Sequence, residues 1–277
     1  MLNMIRFIAS DLDGTLLTSK KEISIKTIEN IKEYTKKNSY FVMCSGRPLY
    51  RAKKYLDKVK VEGFKQYYIG INGALIYETS DNKKIYSATL SKKEVNKIIE
   101  IAKENDVCVS VYTFDTVYTE KVSKYILENG IYEGVNFVIC ENILTQKIDD
   151  EIYKVIFVDD PIKIKKVRDM LSKELYDDFN IVSSASCYVE FMNKETSKGN
   201  AIKLLCDYLN ISLENTLAFG DAENDLSMLN SVRYSVAMSN AEDRVKRVCS
   251  FVSKSNNEEG VNFVLEKILK EGQYEFC

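Results

Sequence analysis

The sequence predicts an α/β protein: a doubly wound parallel-sheet core interrupted by an inserted α+β domain. Three observations predict it. From Phe7 to Tyr77, short apolar runs rich in β-formers alternate with amphipathic helical stretches, the rhythm of a parallel sheet. From about Asp81 the pattern changes to period-two alternation, which marks strands with one covered and one freer face. Beyond residue 190 the first rhythm returns. The expected organisation is a core made of residues 1–82 and 190–277, with a second domain at 83–189 inserted between them. No Pro- or Gly-rich linker marks the two crossings.

The elements follow in order. Ile5 to Ala9 reads as a buried strand, too short for a helix and stopped by Asp11-Leu12-Asp13-Gly14-Thr15. Leu16 to Ile23 is a turn-rich excursion, after which Ser24 can cap a helix carrying Ile25, Ile28, Ile31 and Tyr34 on one face. Tyr40 to Cys44 is a second buried strand ending in Ser45-Gly46-Arg47-Pro48, and Pro48 suits the first turn of a helix through Leu49, Ala52 and Leu56. Tyr67 to Ile71 is a third strand, and Asn72-Gly73 turns the chain back through Leu75-Ile76-Tyr77. The inserted segment reads as a helix from Ser91 to Asn105, strands around 107–112 and 117–118, a strand at 152–158, a helix at 162–176, and a hairpin of 181–183 with 187–191. The core resumes with a helix from Lys198 to Leu209 and the strand Thr216 to Phe219. Gly220-Asp221-Ala222-Glu223-Asn224-Asp225 opens a helix ending near Asn230. A strand at 234–238, a helix at 241–248, a short strand at 250–252 and the amphipathic helix Gly260 to Leu269 complete it.

Composition narrows the function classes. The 277 residues carry 45% hydrophobic and 29% charged side chains, ordinary for a soluble globular chain long enough for two domains. A formal net charge of −2 gives no electrostatic reason to expect nucleic acid or a membrane surface as partner. No stretch approaches the ~20 apolar residues of a membrane span, and the N-terminal run is too brief for a secretory signal. The seven scattered cysteines contain no Cys-x-x-Cys pair, which suits reduced thiols filling core space in a cytoplasmic protein. Histidine is absent, which removes Ser-His-Asp and Cys-His catalysis and histidine-ligated zinc together.

In an open parallel sheet the carboxyl ends of the strands share one edge, where ligands bind. That edge would gather Asp11 and Asp13, Ser45 and Gly46, and Asp221, Asn224 and Asp225, with Lys198 on the helix before the last group. Four carboxylates there would repel by about 4 kcal/mol per close pair at ~4 Å and an effective dielectric near 20. A cation must neutralise them, and oxygen-only donors favour a hard ion, Mg²⁺ best. Ser45, Lys198 and the glycine amides then face a gap that fits a phosphoryl group.

At this point the motifs resemble those of the haloacid dehalogenase superfamily of phosphotransferases, over nearly the whole chain. Asp11-Leu12-Asp13-Gly14-Thr15 resembles its first motif, Ser45 in Cys-Ser-Gly-Arg-Pro the second, Lys198 in Thr-Ser-Lys-Gly the third, and Gly220 to Asp225 the fourth. The Ile71-Asn72-Gly73-Ala74 segment and the large insertion are similar to the Cof-like branch, which carries a class-two α/β cap on a Rossmann-like core. The resemblance implies a Mg²⁺-dependent phosphatase of small phosphorylated metabolites, with sugar phosphates as candidate substrates. Asp11 would be the nucleophile that becomes an aspartyl-phosphate. Asp13 would protonate the leaving oxygen and then take a proton from water. Asp11, the Asp13 carbonyl and Asp221 would hold the metal, and Asp225 would support the metal shell or Lys198. Leu12 and Gly46 amides, Ser45, Lys198 and Asn224 would bind phosphate oxygens.

The presence of Asp13 argues against the dehalogenase and P-type ATPase branches, where that position is not an aspartate. A phosphomutase would retain it, and activation by a bisphosphate would separate the two activities. A non-catalytic phosphate-binding module is the reading from another class. A receiver-type signalling domain fits less well, because it places its acidic pair and phosphorylated aspartate on different strands. Arg47 suits a substrate contact or a structural role equally. Asn72 is assigned first to the Asn-Gly turn, with pocket lining as its second reading. Cys44 reads as a buried thiol, Glu190 as a structural or interfacial charge, and Tyr112, Tyr118, Tyr153 and Tyr188 as packing residues. The oligomeric state is not legible.

Overall fold

The computed structural model describes residues 4–128, 134–183 and 185–271. Strand β1 (Phe7–Ser10) is buried along its whole length, as befits an apolar run in a sheet covered on both faces. Helix α1 (Ile25–Lys36) begins where Ser24 Oγ accepts the Thr27 amide at 3.1 Å. It buries Thr27, Ile31, Tyr34 and Thr35, while Ile25 is 76% exposed. The expected stripe through Ile25 and Tyr34 fails because steps of three slip by about 60° each on a helix of 3.6 residues per turn. Strand β2 (Tyr40–Cys44), helix α2 (Leu49–Val59) and strand β3 (Tyr67–Gly70) continue the alternation. A 3₁₀ turn at Ile71–Gly73 returns the chain into β4 (Leu75–Glu78), antiparallel to β3, and β5 (Lys83–Ser87) follows.

Helix α3 (Lys92–Glu104) starts in a capping box between Ser91 and Glu94. Then come β6 (Cys108–Tyr112), β7 (Thr116–Thr119), α4 (Lys124–Glu128), β8 (Asn136–Ile139) and β9 (Lys154–Val158). Helices α5 (Pro161–Met170) and α6 (Lys173–Asp178) lead to β10 (Phe179–Val182) and β11 (Tyr188–Asn193). These strands form a six-stranded sheet in the order β10-β11-β9-β6-β7-β8, antiparallel except for the β7–β8 pair. Val111, Phe157 and Phe191 on one face pack with Ile98, Ile99, Val167 and Leu175 of the helices. Alternation sends Lys154 and Glu190 to the opposite face, where they form a buried ion pair at 2.7 Å with Lys154 over the Tyr112 ring. The helix expected at 162–176 is two helices, because Leu171 adopts extended backbone (ψ 131°) between them. Helix α4 and strand β8 escaped the sequence pattern. Strand β8 has exposed ends at Asn136 and Ile139 with half-buried Phe137 and Val138 between them and no fully buried residue, so its burial shows no period-two pattern.

Helix α7 (Lys198–Leu209), β12 (Thr216–Gly220), α8 (Leu226–Leu229), β13 (Tyr234–Ala237), α9 (Asp243–Lys246), β14 (Phe251–Val252) and α10 (Gly260–Glu271) restore the first rhythm. The first sheet has eight strands in the order β14-β13-β12-β1-β2-β3-β4-β5, and its pairs from β14 to β3 are parallel. The chain forms two compact units, Met1–Arg47 with Ala52–Tyr86 and Ser197–Cys277, and Pro48–Arg51 with Ser87–Thr196. Against the expected limits of 83 and 189, β5 joins the first sheet and β11 runs to Asn193 in the second, so both crossings lie later in the chain. Among the described residues no helix is long and apolar enough to cross a membrane. Cys44, Cys140, Cys187 and Cys206 are buried free thiols, Cys108 and Cys249 are half-buried, and Cys277 lies outside the described residues.

Candidate active site

The first sheet runs outward from β1 in both directions: β2 and β3 on one side, β12 on the other. Strand β1 is therefore the topological switch point, the place where an open α/β sheet leaves a crevice at its carboxyl edge. Asp11 follows β1, Ser45 follows β2, Ile71 and Asn72 follow β3, and Asp221 follows β12. The Asp11 amide still donates to the Phe219 carbonyl at 3.1 Å and the Ser45 amide to Ile69 at 2.9 Å, so sheet register fixes where these residues emerge.

Lys198, the first residue of α7, is 1% exposed. Its Nζ donates to Asp11 Oδ1 at 2.5 Å and to Asp225 Oδ1 at 2.6 Å. Burial works against the charge on this lysine, but the Asp11 and Asp225 carboxylates outweigh it and hold its pKa well above the ordinary value. Burial pushes the Asp11 carboxyl upward, Lys198 opposes that push, and repulsion from Asp225 and Asp221 adds to it. Asp225 is fully buried, and its Oδ2 accepts the Asp221 and Ala222 amides at 2.9 and 3.1 Å. Both of its oxygens are thus spent on the protein.

Asp221 is held by Thr15, whose hydroxyl donates to Oδ1 at 2.7 Å. Gly14, at φ +83°, packs directly against the Asp221 carboxylate, and a Cβ there would collide with it. Burial and repulsion from Asp225 push Asp221 up to about 6 despite the Thr15 hydrogen bond. Carboxylate oxygens of Asp11, Asp221 and Asp225 lie within 4.8 Å of one another. One ammonium against three carboxylates leaves two negative charges uncompensated, which fits an all-oxygen site for a divalent cation.

Asp13 does not turn its side chain toward that cluster. Its Oδ2 accepts Arg47 Nε at 2.6 Å, and its Oδ1 accepts Arg47 Nη2 at 2.7 Å and Lys21 Nζ at 2.5 Å. Burial opposes ionisation here, but the Arg47 and Lys21 hydrogen bonds and charges hold Asp13 down at about 2. The Arg47 backbone is pinned as well, its carbonyl accepting from Tyr68 Oη at 2.6 Å and the Ile71 amide at 3.1 Å.

Ser45 is 2% exposed, and its Oγ accepts the Arg47 amide at 3.2 Å. Leu12 is fully buried between the two aspartates. A Cβ at Gly46 would stand 3.0 Å from Asn72 Oδ1, and Asn224 Nδ2 donates to that same oxygen at 3.3 Å. The structure thus brings Asp11, Lys198, Asp221 and Asp225 into one cluster and joins Gly46 to Asn224 through Asn72. Sequence reasoning passed over Thr15 and Lys21 and left Arg47 and Asn72 open. A residue directly after a strand-end Ser-Gly is a signal for Arg47, whereas nothing local marks Lys21, which reaches Asp13 from the turn-rich excursion.

The sequence pattern of haloacid dehalogenase-like hydrolases matches residues 8–265. A 5-amino-6-(5-phospho-D-ribitylamino)uracil phosphatase of Bacillus subtilis is 30% identical over 96% of this chain and 99% of its own. A second phosphatase of Bacillus subtilis is 27% identical over 95% of this chain and all of its own. Among solved structures, a haloacid dehalogenase-like hydrolase from Bacteroides thetaiotaomicron superposes with a TM-score of 0.86 at 26% identity, covering 95% of this chain and 99% of that one.

Proposed function

The chain belongs to the haloacid dehalogenase-like hydrolases and is a Cof-like phosphatase, and from that premise we propose that it hydrolyses small phosphorylated metabolites, sugar-type phosphates first, with Mg²⁺ and a phosphoryl-enzyme formed on Asp11. The single observation that carries the reading is the buried Lys198 bridge between Asp11 and Asp225. It aims a carboxylate and a permanent positive charge at one point. That pairing serves a nucleophile that must meet an anionic phosphoryl group.

The Asp11 carboxylate attacks phosphorus, and an Oδ–P bond forms as the ester P–O bond breaks. The leaving oxygen takes a proton from Asp13. Water then attacks the phosphoryl-aspartate, returning a proton to Asp13 and releasing orthophosphate with the Asp11 carboxylate restored. Lys198, Ser45, Asn224 and the Leu12 and Gly46 amides bind the phosphoryl oxygens. A bound Mg²⁺, held by Asp11, Asp221 and the Asp13 carbonyl, would supply charge neutralisation to the transferring group. Asp225 holds Lys198 and the Asp221 and Ala222 amides in place. In its Arg47-bound arrangement Asp13 is ionised and suited to the second half-reaction. The first half-reaction therefore requires the Arg47 contact to open.

A relative that acts on a 5-phosphoribityl compound makes polyol and sugar phosphates the first choice of substrate. The test is phosphate release from a panel of sugar, polyol and nucleotide monophosphates with Mg²⁺, for the wild-type chain and Asp11→Asn. The substitution should lower kcat by a factor on the order of 10³ or more. Equal turnover by the two proteins would refute the covalent route.

A further inference from the structure

Beyond the end of β3 the backbone does something costly. Ile71 has φ 52°, Asn72 φ 54° and Gly73 φ 103°. Glycine accepts such angles freely and asparagine tolerates them, but a β-branched residue in the left-handed region is a steric outlier. Strain of this kind persists where the surrounding structure over-determines it, and it gathers at functional sites.

The side chain this turn delivers is Asn72, which is 4% exposed. Its amide donates to the Ser45 carbonyl at 3.0 Å, and its Oδ1 takes the hydrogen bond from Asn224. Its Nδ2, buried among the described residues, has no acceptor. A buried donor left without a partner is normally removed or satisfied. A Cβ at Gly46 would stand 3.3 Å from this nitrogen, so the donor lies over the Ser45–Gly46 turn. Gly73 packs against the Ser197 carbonyl, one residue before Lys198, so the same turn abuts the start of α7. A strained backbone thus presents an unspent N–H group between the end of β2, Asn224 and the helix that carries Lys198.

We infer that Asn72 is a substrate ligand, whose Nδ2 donates to an anionic oxygen of the phosphoryl group. The inference rests on the phosphatase reading and adds to it a donor outside the four motifs. The Asn224 hydrogen bond sets the amide so that its oxygen faces the protein and its nitrogen faces the anion. A turn role alone would need only the backbone of Asn72, and it would leave the orphaned Nδ2 without a purpose.

Two substitutions separate the roles. Asn72→Gly keeps the left-handed backbone without strain and deletes the donor. Asn72→Asp keeps the size and replaces the donor with a carboxylate oxygen. The measurement is calorimetric titration with inorganic phosphate in the presence of Mg²⁺, alongside thermal melting and KM for an aryl phosphate. Asn72→Gly should bind phosphate about tenfold more weakly or worse, with KM rising in parallel and a melting temperature equal to or above wild type. Asn72→Asp should weaken phosphate by on the order of a hundredfold. If Asn72→Gly, or a folded Asn72→Asp, binds phosphate as wild type does, Asn72 is a turn residue and the inference is wrong. If the wild-type chain neither binds phosphate nor releases it from any ester, the phosphatase reading falls, and this role with it.

Discussion

The carboxylate of Asp13 is held through both oxygens by Arg47 and through one by Lys21, and this sets its charge before any substrate arrives. Its pKa lies at about 2, below the ordinary 3.8. A carboxyl whose folded pKa is depressed stabilises the fold above its unfolded pKa and loses that contribution as pH falls. Wild type should therefore exceed Arg47→Ala in stability at pH 7, and the gap should close between pH 4 and pH 2. Denaturant unfolding at pH 7, 4 and 2.5 measures it. Because the Asp13 side chain is 38% exposed, the gap at pH 7 should be below about 1 kcal/mol. A gap that stays constant with pH would assign the Arg47 contribution to packing against Tyr55, over whose ring its guanidinium lies at 5.6 Å.

At the scale of elements, the site depends on where α7 begins. Ser197 Oγ accepts the Asn200 amide at 3.0 Å and so caps the helix whose first residue is Lys198. Ser197→Ala should cost about 1 kcal/mol, seen as a melting temperature lower by roughly 2–4 °C. Its kcat should fall with it, since the cap sets the base of the Lys198 side chain. Gly73→Ala should cost more, above about 2 kcal/mol, because it combines a strained φ with a collision against the Ser197 backbone. A melting temperature for Gly73→Ala at or above that of Ser197→Ala would show that the two turns are not packed as described.

For the whole molecule, the acidic cluster should couple stability to pH and, through the proposed ion, to metal. Asp221 is raised from 3.8 to about 6, so the unfolded chain ionises it at lower pH than the folded chain does. Its favourable share of stability is complete below pH 3.8 and is lost as pH rises through about 6. Metal-free wild type should lose on the order of 2 kcal/mol relative to Asp221→Asn between pH 4 and pH 7. Adding Mg²⁺ at pH 7 should restore it to wild type alone, because an ion bound only by the folded chain stabilises by mass action. Melting curves at both pH values with and without Mg²⁺ check this. A Mg²⁺ shift that survives in Asp221→Asn would place the ion elsewhere.

The alternation of strands and helices was legible because it is a local property: each apolar run or stripe declares its period within a few residues. The ends of β1, β2 and β12 could be read as a carboxyl edge for the same reason, since Asp11, Ser45 and Asp221 each follow directly on a strand. Local pattern misled where two periods are nearly alike, as at Ile25, and where an apolar run is too short to declare a period, as with Phe137 to Ile139 in β8. Partners were decided only by the fold. Lys198 meets Asp11 across 187 positions of sequence, and Arg47 meets Asp13 across 34. The orphaned Nδ2 of Asn72 likewise exists only once Asn224 and Gly46 surround it. Periodicity depends on neighbours along the chain, whereas a hydrogen bond depends on distances that strand register and helix packing alone create.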